Sequence, residues 1–309
     1  MSFIQKKSSI DATTRFFLKI CFFSTFLSLS FFPDSVSMAL SPLGGPDRPI
    51  RMMFVPSGDS QVILKGGQEI ASLLQAETGL HFKTSVATSY AAVVEAMGAG
   101  QVDVGWLATF SYVMAKEKFN VDLLLIVMRF GSPFYRGQIM VRADSNIKTL
   151  ADLKGETFAY GDPASASGHL YPKALLRSKG LDPDILFKNS IFAGSHNAVV
   201  LSLLKGRVSA GAAYDDARAA VADSYPDVFD KIRVIAYTSE IPNDTVSVRN
   251  DLDPELKIKI KEGLKRLART PVGSKVLKQV YGISGLADLD ALFDPVRKAR
   301  QFLQPKEMQ

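Results

Sequence analysis

From Ile50 onward, short apolar runs alternate with longer amphipathic runs, and this alternation restricts the fold more than any other feature of the chain. "IRMMFV", Ile50 to Val55, reads as a buried strand ended by "PSGD", and Val62 to Gln75 follows at helical spacing with Gly79 as its stop. His81 to Ala87 alternates as a strand, Ser89 caps "YAAVVEAMGAG", and "VDVGWL", Val102 to Leu107, is the next strand. The helix "SYVMAKEKF" and the strand "VDLLLIVM", Val121 to Met128, complete the series. Helical crossovers between successive strands predict mainly parallel sheets covered by helices. The pattern restarts after Gln138 to Asp144, with helices over 168–179, 196–205 and 215–224 and strands at Val208 to Tyr214 and Ile232 to Ser239. The tail from Pro254 to Leu303 is helical in period and basic. With 309 residues, 47% of them hydrophobic, the chain can fill two such α/β units.

The first 40 residues differ from the rest. Lys6, Lys7, Arg15 and Lys19 precede "ICFFSTFLSLSFF", Ile20 to Phe32, and small residues follow in "SVSMA", Ser35 to Ala39. These are the parts of a secretory signal peptide, expected over residues 1–39, and the apolar run is too short to span a bilayer as a helix. Its removal takes the only cysteine, Cys21, so disulfide, thiolate and cysteine-bound metal chemistry are excluded from what remains. Lys and Arg are scattered over a chain of net charge +6, which speaks against nucleic-acid binding. No cofactor is expected.

Ligands of open α/β sheets bind beyond the carboxyl ends of the strands. The turns in that position are Pro56–Asp59, Ala87–Tyr90, Thr109–Tyr112, Asp162–His169, Gly194–Asn197 and Tyr214–Asp216. In "DPASASGH", Ser165 or Ser167 can cap a helix whose unpaired N–H groups and partial positive charge suit an anion. Gly168 lets backbone come close. In "AGSHNAVV", Ser195, His196 and Asn197 stand at a similar turn, where His196 can donate to an oxyanion. Asp215 and Asp216 at a third helix start can serve as caps or can bind a ligand cation, and Asp244 can be turn chemistry. Tyr90 and Tyr135 lie at element ends, where core packing is the ordinary role. There is no H-E-x-x-H, G-x-S-x-G or phosphate-loop motif, and neighbouring Ser195 and His196 do not make a triad.

"DPASASGHLYP", "AGSHNAVVLSLLKGRVSAGA" and "IPNDTVSVR", in this order, resemble the phosphonate/phosphite-binding proteins of ABC importers, and "SYAAVVEAMGAGQVDVGWL" fits the same family. The resemblance runs from about Ile50 to Tyr281. It implies a two-lobed type 2 periplasmic-binding-protein fold. Lobe one is expected over 48–140 with 241–305 returning to it, lobe two over 141–240, and the crossings near Val141 and Ala236. The implied function is capture of a phosphonate- or phosphite-type oxyanion by lobe closure, and delivery to the transmembrane permease of an ABC importer. The implied protein is a monomer in the periplasm, free or membrane-tethered. The implied oxyanion contacts are Ser165, Ser167 and the N–H groups of their turn, with His196, Tyr90 and Tyr135. Asp244, with Asp215 or Asp216, stands where family members pair with a ligand amine. Ala166 departs from the Thr common in the family and removes one hydroxyl donor, worth about 1–3 kcal/mol if a ligand oxygen is left unpaired. Two other functions are compatible with such a fold: an enzyme using His196 with Asp215 or Asp216, and a sensor for a membrane signalling partner.

Overall fold

The computed structural model describes residues 41–288 and 290–303. The expected signal peptide lies outside the described residues, and the described residues from Ser41 onward form one compact unit. Among the described residues no helix is long and apolar enough to cross a membrane.

The first run of elements is β1 (Ile50–Phe54), α1 (Ser60–Thr78), β2 (Phe82–Val86), α2 (Tyr90–Gly98), β3 (Val104–Leu107), α3 (Thr109–Phe119) and β4 (Asp122–Met128). The second is β5 (Phe134–Arg142), β6 (Thr157–Tyr160), α4 (Tyr171–Ser178), α5 (Pro183–Leu186), β7 (Asn189–Phe192), α6 (His196–Leu204), β8 (Ala210–Tyr214), α7 (Val228–Lys231) and β9 (Ile232–Pro242). The third is β10 (Thr245–Val248), α8 (Pro254–Arg269), α9 (Pro271–Tyr281), β11 (Gly285–Ala287) and α10 (Asp294–Leu303).

Two sheets result. The first is six-stranded in the order β11-β4-β10-β3-β1-β2, and the second is five-stranded in the order β7-β6-β8-β5-β9. Both sheets are mixed, with most strands of each running one way: β1–β4 run together against β10 and β11, and β6–β9 run together against β5. Strands β2 and β3 flank β1 in parallel and β7 and β8 flank β6 in parallel, but β10, β11, β5 and β9 all enter antiparallel. For β5 and β10 the physical reason is the double passage of the chain, whereas β9 and β11 are antiparallel only to their neighbours β5 and β4. A strand arriving from the other sheet enters from the cleft side, opposite to the strands already there.

Strands β5 and β9 pair with each other from Phe134↔Pro242 to Arg142↔Ile232, wholly within the second sheet. The passages therefore fall at Arg129–Pro133 and Asn243–Asp244, before Val141 and after Ala236. After the second passage, β10 inserts between β3 and β4, α8 and α9 pack on α1, and β11 closes the sheet edge. Helix α10 packs against α3 on one side and α4 and β9 on the other, so the tail touches both lobes.

Local chemistry explains most boundaries. Asp59 caps α1 by accepting from the Gln61 and Val62 N–H groups, and Gly79 ends it at φ 70°. Gly66 and Gly67 let α1 approach the sheet and α9, since a Cβ on Gly66 would lie 2.2 Å from Val280 Cγ2. The expected helix over 215–224 is only a 3₁₀ turn, Ala217–Val221. Asp215 N–H still continues the β-ladder to Arg136 O, and Asp216 adopts φ 62°, so a regular helix cannot start there.

Three strands of the first sheet are fastened at the end away from the cleft by Asp103, whose side chain is fully buried. Its carboxylate accepts from Arg51 N, Nε and Nη2 and from Arg249 Nε, at 2.8–3.1 Å. Burial alone would raise this carboxyl, but the Arg51 hydrogen bonds and the Arg51 and Arg249 charges hold it below its usual range. Its stabilising contribution is therefore complete above the unfolded carboxylate pKa and is lost as pH falls through the lower folded value. Asp103→Ala should destabilise the chain by about 3 kcal/mol at pH 7, because it opens a cavity, leaves Arg51 without its carboxylate and leaves Arg249 only Asp251. Urea denaturation checks this, and the gap from wild type should narrow below pH of about 4.

Candidate functional site

The carboxyl ends of β1 and β3 face those of β6 and β8 across the space between the sheets. Hydrogen bonds join the two sides, among them His196 N–H to Ser57 O at 3.2 Å, Tyr90 N–H to an Asp162 carboxylate oxygen at 3.3 Å, Ser111 Oγ to Ala164 O at 3.1 Å and Thr109 Oγ1 to Pro242 O at 2.6 Å. The lobes are thus closed on one another.

Most of the cleft surface from the second lobe comes from the turn after β6. Asp162 Oδ1 accepts from Ala164 N at 2.8 Å, which bends the chain into the turn. Ser165 then accepts the Gly168 N–H at 3.0 Å and caps a π turn, Ala166–Leu170, that runs into α4. Accepting does not consume the Ser165 hydroxyl proton, which stays available for donation. Ser165, Ala166 and Ser167 are all buried. Gly168 serves close approach to backbone: a Cβ there would lie 3.2 Å from Gly161 Cα. Gly137 on β5 does the same for Ser167, since its Cβ would lie 2.9 Å from Ser167 O.

His196 is the first residue of α6, positioned by Ser195, which accepts from Ala198 N. Its ring is 4% exposed, lies edge-on to Tyr214 with centroids 4.9 Å apart, and leaves Nδ1 buried without a hydrogen-bond partner. Burial first, and then the Arg129 charge, push its pKa down to about 3. The ring is therefore neutral. His169 is turned elsewhere, with Nδ1 2.8 Å from Pro163 O and its ring against Tyr160 and Phe192.

From the first lobe, the Ser89 cap sets Tyr90 at the buried start of α2. Burial, with Asp244, Tyr281, Asp162 and Tyr135 nearby, raises its phenol well above the ordinary value. Tyr135 opens β5 and is pushed up to about 12 by burial and Asp244, against hydrogen bonds with Ser167 and Thr109. Both phenols hold their protons at neutral pH and can donate to an anion.

The expected carboxylates are placed differently. Asp215 pairs with Arg136 at 3.1 Å and Asp216 with Arg218 at 3.1 Å, both partly exposed. Asp216 makes no cap hydrogen bond. The residue set against His196 is their neighbour Tyr214. Asp244 does lie near Tyr90 and Tyr135, but its Oδ2 accepts from Arg129 Nη2 at 2.8 Å. The structure thus brings Ser165, Ser167, His196, Tyr90, Tyr135 and Asp244 around one cleft and engages Asp215 and Asp216 with arginines of their own lobe.

Sequence reasoning passed over Arg129 and Tyr281, and it left Ser57, Thr109 and Tyr214 within flagged turns without a role. Arg129 is one arginine after an apolar strand, and Tyr281 ends a helix that reaches the cleft only through the chain's return; neither has a local signal. Tyr281 OH donates to Val55 O at 2.9 Å. Among the described residues no group of three or more His, Cys, Asp or Glu side chains could hold a metal ion. A separate recess of about 700 Å³, lined among others by Arg142, Asp152, Glu156 and Ser209, lies at the far end of the second sheet.

Residues 52–291 match the family model described as "ABC transporter, phosphonate, periplasmic substrate-binding protein". The "Phosphate-import protein PhnD" of Mycolicibacterium smegmatis is 32% identical over 201 residues, 58% of this chain and 63% of that protein, so the match spans under two thirds of the relative. The "Phosphonates-binding periplasmic protein" of Escherichia coli is 28% identical over 282 residues, 89% of this chain and 82% of the relative. Two solved structures share the fold. A binding protein component of an ABC phosphonate transporter from Pseudomonas aeruginosa has a TM-score of 0.76 and 24% identity, over 82% of this chain and 86% of that one. PhnD1 from Prochlorococcus marinus, in complex with methylphosphonate, has a TM-score of 0.74 and 20% identity, over 82% and 97%.

The depressed His196 pKa has a direct consequence. An unfolded histidine takes up its proton near pH of about 6.5, but the folded one does so only near 3, so the unfolded state binds more protons between those values and stability falls as pH drops through that window. Side-chain nitrogen NMR should find the His196 imidazole neutral at pH of about 5, well below the ordinary histidine range. His196→Gln should flatten the acid limb of the stability profile.

Proposed function

The chain belongs to the family of periplasmic substrate-binding proteins of phosphonate ABC transporters, and on that premise we propose that it captures a small phosphorus oxyanion between its lobes and hands it to a transmembrane permease. The observation that carries the ligand assignment is the set of proton-bearing neutral groups around one buried cleft: the Ser165 and Ser167 hydroxyls, the Tyr90 and Tyr135 phenols, and the His196 ring with its unpartnered Nδ1. A tetrahedral oxyanion needs several donors at once, from several directions. Neutral donors held by caps and packing supply them without the cost of burying an unpaired charge on the protein.

Each lobe contributes part of the set. Ser165, Ser167 and His196 come from one side with the N–H groups of the Ser165–Gly168 turn, and Tyr90 comes from the other. Tyr135 stands at the passage between them. A ligand touching both sides binds the closed arrangement better than the open one and shifts the population towards it. The closed chain then presents one defined surface to a permease. The chain acts as a monomer in the periplasm after loss of residues 1–39. Ala166 sets a methyl where a further hydroxyl would stand, so one ligand oxygen relies on the N–H groups of the turn.

The enzyme reading pairs His196 with Asp215 or Asp216, but those carboxylates are engaged by Arg136 and Arg218. The family's members are substrate-binding components of transporters. No observation favours the sensor reading.

Calorimetric titration of residues 41–309 with phosphite, methylphosphonate, 2-aminoethylphosphonate, phosphate and sulfate tests the proposal. Tight binding of at least one phosphorus oxyanion, with sulfate much weaker, is the expected result. Ser165→Ala with Ser167→Ala should weaken it at least about 100-fold, two charge-assisted hydrogen bonds' worth. Undiminished binding in the double variant would move the site elsewhere.

A further inference from the structure

The ion pair in the cleft bears on which oxyanions fit. Arg129 is the last residue before the chain leaves the first sheet, and its guanidinium is fixed on three sides. Nε donates to Tyr281 O at 2.8 Å, Nη1 to Asn243 Oδ1 at 2.9 Å and Nη2 to Asp244 Oδ2 at 2.8 Å. Its carbon lies 5.7 Å from the centre of the Tyr135 ring. Asn243 is held in turn, donating through Nδ2 to Ser132 O at 3.0 Å. Arg129 and Asp244 are each less than one-fifth exposed. The Asp244 charge bears on Tyr90, Tyr135 and Tyr281, and the Arg129 charge on His196 and Tyr214. The pair therefore sits among the side chains proposed to hold the ligand.

A carboxylate at this place invites a ligand ammonium group. Here the chain supplies its own cation. We propose that Arg129 is a specificity-determining residue: by filling the place of a ligand's amine against Asp244, it selects phosphorus oxyanions that carry no amine. The inference rests on the oxyanion reading of the cleft. An amine-bearing ligand would meet a neutralised carboxylate and a guanidinium of its own sign. To reach Asp244 it would have to displace Arg129 from three acceptors, leaving Asn243 Oδ1 and Tyr281 O unpaired in a mostly buried place. A ligand without an amine meets no such obstacle, and the nearby positive charge favours its anionic end.

Ethylphosphonate and aminomethylphosphonate have the same heavy-atom skeleton and differ in a methyl against an ammonium, so the ratio of their affinities isolates the amine. Titrations use residues 41–309. Wild type should prefer ethylphosphonate by at least about tenfold, and Arg129→Gln should cut that preference at least about tenfold by freeing Asp244. Asp244→Asn keeps the shape of the site and leaves the guanidinium without its counter-ion. It should tighten ethylphosphonate severalfold and should not selectively weaken the amine ligand. Equal or better binding of aminomethylphosphonate by wild type, or an unchanged ratio in a folded Arg129→Gln protein, overturns the inference. If Arg129→Gln does not fold, Asp244→Asn decides, and a selective loss of aminomethylphosphonate there makes Asp244 an amine receptor. Binding of phosphite with neither alkyl ligand also overturns it, since the pocket wall would then set the choice. Failure of every phosphorus oxyanion to bind wild type would instead remove the oxyanion reading itself.

Discussion

The antiparallel ladder between β5 and β9 is the constraint on which the cleft depends. Both passages between the lobes join the cleft end of these strands, which deliver the central side chains. Tyr135 pairs with Ile241, next to the cleft end of the ladder, and β9 runs out into Asn243 and Asp244. One step further along β5, Gly137 leaves room for Ser167 O and donates its N–H to Thr238 Oγ1 at 2.8 Å. The ladder therefore sets the height of the Ser165–Ser167 turn and the position of the tyrosine it meets. Because both passages lie at the same end of this ladder, the lobes can part and meet without breaking either sheet.

The site's electrostatics follow from burial. Most titratable groups facing the cleft are kept neutral or paired: Tyr90, Tyr135 and Tyr281 hold their protons, His196 is uncharged, and Asp244 is matched by Arg129, while the buried Asp162 carboxyl, its pKa raised by burial, is held by the Ala164 and Tyr90 N–H groups. A cleft built this way carries little net charge while empty and many oriented donors. An incoming anion then meets donors held in place by caps and packing, which need little reorganisation to receive it.

The parts legible in the sequence are those set by short-range chemistry. Ser89, Ser165 and Ser195 are caps because their hydroxyls reach the N–H three residues on, and Gly79 ends α1 because it takes φ 70°. The turns that follow the strands were legible for the same reason, and the cleft is built from them. Long-range contacts decide the rest. Whether β10 enters parallel or antiparallel depends on where the chain comes from, not on its four residues. The three-residue strand β11 exists only as an edge partner of β4. The Asp215–Asp216 turn looked like a helix start, yet the β-ladder claims Asp215 and Asp216 takes a left-handed conformation. Arg129 shows the limit most clearly, since its acceptors are 114 and more residues away in sequence.

The most direct test of the account is a crystal structure of residues 41–309 with the tightest-binding phosphorus oxyanion. The account predicts the ligand between the lobes, within hydrogen-bond distance of the Ser165 and Ser167 hydroxyls and the His196 ring, with the Arg129–Asp244 pair intact beside it. An oxyanion seated elsewhere, for instance in the recess beside Arg142 at the far end of the second sheet, would contradict it.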